Sequence, residues 1–136
     1  MSHSIRLNEN LGVVVVRYRG SVDFSEIRSV FDAAVHLNGF KPGLSLVVDF
    51  RDNSEPLTGA EVIALADYAR RTDANWGVTK WLLIAEKDVT FGLARMFSSL
   101  TSGLDVETKV FRSAAAADDW LGIGTSVEDL LALTPE

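Results

Sequence analysis

Three charged side chains follow an apolar run, at the point where a buried strand is expected to end. Asp49, Arg51 and Asp52 lie at the end of the segment Leu44–Phe50 and just after it. Carboxylates in such a place can hold Mg²⁺, or they can form ion pairs with a neighbouring arginine. The partner residues of known magnesium-dependent phosphoryl sites are not found at their usual spacing. A network in which Arg51 pairs with one of these aspartates or with Glu55 is therefore favoured, and no metal site is predicted.

Thr58 and Gly59 suggest a second kind of chemistry, because a hydroxyl residue in front of a helix can be phosphorylated. Thr58 stands three residues before Glu61, which is the spacing of a helix capping box. A phosphate on Thr58 would lie at the positive end of the helix. The sequence leaves both roles open and favours the cap. The candidate binding loop is thus formed by Asp49, Arg51, Asp52, Thr58 and Gly59.

Other catalytic constellations are missing from the sequence. The chain has no cysteine and only two histidines, His3 and His36, neither of which has a serine or carboxylate at a recognisable motif spacing. No glycine-rich phosphate loop or dinucleotide fingerprint is found. The sequence therefore predicts a protein that is not an enzyme and that uses no cofactor.

Composition limits the classes of partner. The net charge is −6, which disfavours nucleic acid, and no apolar stretch is long enough for a membrane span. No signal-peptide pattern is found, so a cytoplasmic location is expected. A length of 136 residues predicts one domain, with a core of about residues 5–123 and a C-terminal extension, 124–136.

Periodicity and turn residues give the order of the elements. The predicted strands are Ile5–Asn8, Val13–Tyr18, Leu44–Phe50, Lys80–Ala85 and Thr108–Phe111. The predicted helices run from the cap Asp23 to Asn38-Gly39, then over Thr58–Arg71, Val89–Leu100, Ala114–Leu121 and, as a short last helix, Ser126–Leu133. Asp88 and Ser113 are the expected caps of the third and fourth helices. This order predicts an α/β fold whose mixed five-stranded sheet starts with an antiparallel hairpin and continues in β/α units.

The third predicted helix has more apolar residues than one core-facing stripe requires. Phe91 and Met96 belong to this surplus, and Phe97 lies next to them on the expected inner face. They are candidates for an apolar surface that contacts a partner, a ligand or a second copy of the chain. A helix packed on both sides is the alternative explanation.

Four motifs together resemble a known fold family. They are Val-Val-Asp-Phe-Arg-Asp at 47–52, Leu-Thr-Gly at 57–59, Phe-Gly-Leu-Ala-Arg-Met-Phe at 91–97, and Val-Phe-Arg-Ser at 110–113 followed by Ala117 and Trp120-Leu121. The chain resembles the SpoIIAA-like group, which contains the STAS domains of anti-sigma-factor antagonists. It is most similar to stand-alone bacterial STAS/SEC14-like proteins.

Three functions are considered, the first as the leading interpretation, which also rests on the strand, loop and capped helix at 44–61, and the other two as alternatives that the resemblance suggests. The first is a non-enzymatic interaction module that binds a protein partner or forms a homodimer. The second is a small-ligand or lipid-binding protein with an apolar cavity near the helix at 89–100. The third is a phosphorylation switch, because a kinase phosphorylates the hydroxyl residue of an Asp-Ser-Ser/Thr-Gly motif in regulatory STAS domains. Thr58-Gly59 matches the end of that motif, but its aspartate is replaced by Pro56 or Leu57, which argues against kinase recognition.

Overall fold

Strands and helices follow one another in the predicted order. The computed structural model describes residues 3–133. The strands are β1 (His3–Asn8), β2 (Val13–Ser21), β3 (Ser45–Glu55), β4 (Thr79–Ile84) and β5 (Val106–Phe111). The helices are α1 (Phe24–Ala34), α2 (Gly59–Thr72), α3 (Asp88–Leu100), α4 (Asp118–Leu121) and α5 (Val127–Ala132). None of these helices is long and apolar enough to cross a membrane.

The five strands form a single mixed sheet in the order β1-β2-β3-β4-β5. β1 pairs with β2 in antiparallel orientation, and the three pairs from β2 to β5 are parallel. The predicted hairpin and the predicted parallel continuation are therefore confirmed. Because β2, β3 and β4 are parallel, their carboxyl ends meet at one edge of the sheet, which is where ligands usually bind in open α/β folds.

Both faces of the sheet are covered, which explains the unbroken apolar run Val13–Val16. Val14 and Val16 lie in a first core, together with buried residues of α1, α2 and α3. Val13 and Val15 lie in a second core, together with buried residues of α4 and α5. A strand buried on both faces has no polar alternation, as this run shows.

The first and third helices differ from prediction at one end. The Asp23 cap of α1 is confirmed, since its carboxylate accepts the Glu26 amide at 2.9 Å. α1 ends at Ala34 rather than at Asn38-Gly39, because the chain then continues in tighter turns through hydrogen bonds from His36 and Leu37.

Asp88 is not the cap of α3, as the sequence had suggested. The cap position is Lys87, whose side chain makes no capping hydrogen bond, and Asp88 is the first helical residue. The Asp88 carboxylate instead binds Arg112, with 2.8 Å between Oδ1 and NH1. The fourth predicted helix is divided into a 3-10 turn, Ala115–Ala117, and the short α4.

Candidate functional site

Asp49, Arg51 and Asp52 all lie within β3; this was expected of Asp49, whereas Arg51 and Asp52 were expected in a loop after the strand. β3 continues to Glu55, five residues beyond the predicted end of the strand. Asp49 is only 3% exposed. Arg51 holds it from two sides, with 3.0 Å from Nε to Oδ1 and 3.1 Å from NH2 to Oδ2. The Arg51 backbone amide also donates to Oδ1 at 3.0 Å, so the Asp49 carboxylate binds both the backbone and the side chain of Arg51.

The same carboxylate joins the sheet to the last helix. Arg17 on β2 approaches it with 3.7 Å between Nε and Oδ2, and also donates to the Leu131 carbonyl of α5. Arg51 reaches Glu128 of α5 at 3.3 Å. The hydrogen bond that the Arg51 guanidinium donates to Asp49 is the main cause that raises the pKa of Arg51 above its usual range, and the bond to Glu128 adds to it. We call Arg17, Asp49, Arg51 and Glu128 the polar cluster.

The polar cluster is a network of ion pairs that connects β2 and β3 to α5. Both oxygens of Asp49 are occupied by guanidinium groups. Asp52, the other aspartate considered as a metal ligand, is exposed. No group of three or more metal-ligating side chains is present within residues 3–133. Arg51 thus pairs with Asp49 and Glu128, and not with Asp52 or Glu55.

An irregularity in β3 changes which side chains face the first core. Arg17 pairs with Asp49, but Arg19 pairs with Asp52, so β3 has one extra residue here. Such a bulge reverses the alternation of side chains beyond it. Asp49 faces the second core, whereas Asn53 lines a pocket in the first core.

Thr58 and Gly59 lie apart from the polar cluster, at the start of α2. The Thr58 hydroxyl accepts the Glu61 amide at 3.2 Å, and the Glu61 carboxylate accepts the Thr58 amide at 2.9 Å. This is the predicted capping box, which typically contributes about 1 kcal/mol. Thr58 is exposed, and phosphorylation there remains a prediction.

A pocket of about 70 Å³ lies between the sheet and helices α1, α2 and α3. By the same measure a single water needs roughly 10–15 Å³. The pocket is lined by Tyr18, Val22, Ile27, Phe31, Val48, Phe50, Asn53, Glu55, Pro56, Leu57, Val62, Leu65, Leu83, Thr90, Leu93, Ala94 and Phe97. Glu55 and Pro56 are its exposed members, so the rim lies where β3 ends.

The alternation of side chains along β3 and β4 determines which residues form the floor of the pocket. Val48 and Phe50 on β3 and Leu83 on β4 point to the same face of the sheet. Leu65 on α2 and Phe97 on α3 close the pocket from the helix side. The interior is therefore apolar, and polar side chains are confined to a few positions.

Tyr18 supplies one of these polar groups. It is 2% exposed, and its ring stacks on Phe50 at a centroid distance of 5.3 Å. Burial raises the pKa of Tyr18 above its usual range, and the nearby Glu26 carboxylate raises it further. Tyr18 is therefore a neutral hydroxyl that can donate a hydrogen bond. The other polar lining residues are Asn53, Glu55 and Thr90.

Phe91 and Met96 of α3 are partly buried, as in the alternative of a helix packed on both sides, and Phe97 faces the core as expected. Phe97 is 8% exposed and lines the pocket. Phe91 and Met96 are half-buried and pack against the first core. The guanidinium of Arg112 covers the ring of Phe91 at 4.2 Å. Of the three, only Phe97 belongs to the candidate site.

Sequence reasoning missed Tyr18 and Asn53 as site residues. Tyr18 follows Val14 and Val16 at alternate positions, so its place in the first core could have been found from the pattern. Asn53 could not, because its orientation depends on the bulge in β3.

A solved structure shows the same fold. It is an uncharacterized protein from the DUF3478 family with a SpoIIAA-like fold, from Shewanella loihica PV-4. The identity is 14%, the TM-score is 0.58, and the alignment covers 88% of this chain and 94% of that chain. No family model matches this chain, and no curated protein does. The predicted SpoIIAA-like fold is confirmed, and at this identity the likeness extends to the fold alone.

Proposed function

We propose that this protein binds a small molecule with an apolar body in the pocket between its sheet and α1, α2 and α3. The observation that carries the proposal is the pocket itself, which has an apolar interior and a rim at the end of β3. Ligand sites in proteins are typically concave and apolar with a few placed polar groups. Of the functions implied by the resemblance, small-ligand binding is the one that this geometry favours.

The energetics of the pocket favour an apolar occupant. Water is a poor occupant of the apolar part of the pocket, because it needs two to four polar partners and the side chains of Val48, Leu83 and Phe97 offer none. A ligand gains roughly 0.8 kcal/mol for each methylene that it buries.

The other two functions have no comparable support. A protein partner or homodimer was expected to use the Phe91 and Met96 surface, and those side chains pack against the first core. A switch at Thr58 would act on a hydroxyl that already caps α2. Both remain predictions, and the polar cluster supports neither.

Titration of the isotope-labelled protein with hexane tests the proposal. We expect saturable shifts of the amide signals of Val48, Leu83 and Phe97, which belong to residues that line the pocket. Val127 and Leu130 of the second core are the internal reference and should stay unchanged, because they lie in α5 and the sheet separates them from the pocket. The absence of saturable shifts, or equal shifts on both faces, would contradict the proposal.

A further inference from the structure

We infer that the natural ligand of this pocket carries a neutral hydroxyl group at one end of its apolar body. The inference rests on the proposed function and specifies the ligand class for the same site. Its basis is that a hydroxyl donor, an amide acceptor and a carboxylate all belong to residues that line the pocket, and that no lining residue is a cation.

The donor is the Tyr18 hydroxyl. Tyr18 lines the pocket and is 98% buried, and its hydroxyl takes part in none of the hydrogen bonds found within residues 3–133. This hydroxyl is not one of the fully buried polar atoms that lack a partner, so it is accessible to a molecule in the pocket. A ligand oxygen there can accept a hydrogen bond from it.

The acceptor is the side-chain oxygen of Asn53. Asn53 is 5% exposed, and its Nδ2 donates to the Gly20 carbonyl at 3.0 Å, which fixes the amide plane. Lys87 holds the backbone of the same residue through a 3.1 Å hydrogen bond from Nζ to the Asn53 carbonyl. The amide Oδ1 is left without a partner among the described residues, so it can accept from a ligand.

Donor and acceptor lie close together on neighbouring strands. Gly20 pairs with Asn53 in the β2–β3 register, and Tyr18 precedes Gly20 by two residues. Both side chains face the first core. A hydroxyl group is the smallest ligand group that accepts one hydrogen bond and donates another.

The charges at the rim disfavour an anion. Glu55 lines the pocket, whereas Glu26, which acts on the Tyr18 hydroxyl, is not a lining residue and binds His3. The Lys87 ammonium donates to the Asn53 backbone carbonyl. A carboxylate or phosphate would lose its hydration and meet negative charge. An ammonium group would be attracted by the exposed Glu55 carboxylate, but it would lose its hydration on entering the apolar interior, so a neutral group is favoured there.

Four probes of one chain length test the inference: hexane, 1-hexanol, hexanoate and hexylammonium. By amide-shift titration we expect 1-hexanol to bind at least tenfold more tightly than hexanoate and than hexylammonium. Tyr18→Phe should weaken 1-hexanol binding about fivefold and leave hexane binding unchanged, because only the hydroxyl contact is removed. Tyr68→Phe is the matched control, since Tyr68 binds Asp32 and does not line this pocket. In this variant the ratio of 1-hexanol affinity to hexane affinity should be the same as in the unchanged protein.

The outcomes separate this inference from the proposed function. If hexane binds and hexanoate or hexylammonium binds as tightly as 1-hexanol, the ligand class is wrong and the pocket function stands. The same conclusion follows if Tyr18→Phe leaves 1-hexanol binding unchanged. If neither hexane nor 1-hexanol binds, both proposals are overturned.

Discussion

Replacing Asp49 with alanine is expected to lower the free energy of unfolding by about 3 kcal/mol. The carboxylate is 3% exposed and binds two arginines, so its removal leaves Arg17 and Arg51 without their central partner. Removing one member of a buried ion pair typically costs about 3–5 kcal/mol. The lower end applies here, because the two arginine side chains are about one-fifth exposed. Urea denaturation followed by circular dichroism measures the change.

Asp52 offers a matched control for this prediction. It is an exposed aspartate in the same strand, and Asp52→Ala should change stability by less than about 0.5 kcal/mol. A second variant, Asp49→Leu with Arg51→Met, should recover part of the loss, because it removes both charges together. If Asp49→Ala lost less than about 1 kcal/mol, the carboxylate would not be structural, and the polar cluster would again be a candidate binding site.

Filling the pocket with Ala94→Leu is expected to change stability and ligand affinity in opposite directions. Ala94 lies on α3, lines the pocket and is 8% exposed. The three added carbon atoms would occupy space that is otherwise unfilled, so the free energy of unfolding should rise by about 1 kcal/mol. Hexane affinity should fall at least tenfold, because the same space is no longer free. Thermal denaturation and amide-shift titration measure the two effects.

Ala33→Leu is the control for this change. Ala33 is an exposed helical alanine on α1 and does not line the pocket. Its replacement should alter stability by less than about 0.5 kcal/mol and leave hexane affinity unchanged. An Ala94→Leu protein that is less stable and still binds hexane would contradict the placement of the ligand. The leucine side chain would then not fit into the pocket, and hexane would bind at another place.

The fold could be predicted because its signals are local. Asp23 and Thr58 stand at cap positions and act as caps, and Gly122 ends α4 in the left-handed conformation, with φ 61. The unbroken run Val13–Val16 indicated a strand covered on both faces. Each of these features depends on a few neighbouring residues, so the sequence alone specifies it.

The candidate site could not be predicted in the same way, because it depends on contacts between distant segments. Polar residues at 51–55 read as a loop, yet pairing with β2 keeps them in β3. The bulge then turns Asn53 toward the pocket while Asp49 binds Arg51 on the other face. No local pattern reveals an extra residue in a strand pair. The apolar cavity was expected near the helix at 89–100, but its other walls come from α1 and α2.

The most direct test of the central claim is a crystal structure of the protein under xenon pressure. Xenon enters apolar cavities in proteins. The account predicts xenon density within contact distance of Leu65, Leu83 and Phe97, and none between the sheet and α5. Crystals in which xenon is missing from this pocket, with Phe31 or Phe97 turned inward to fill the space, would contradict it.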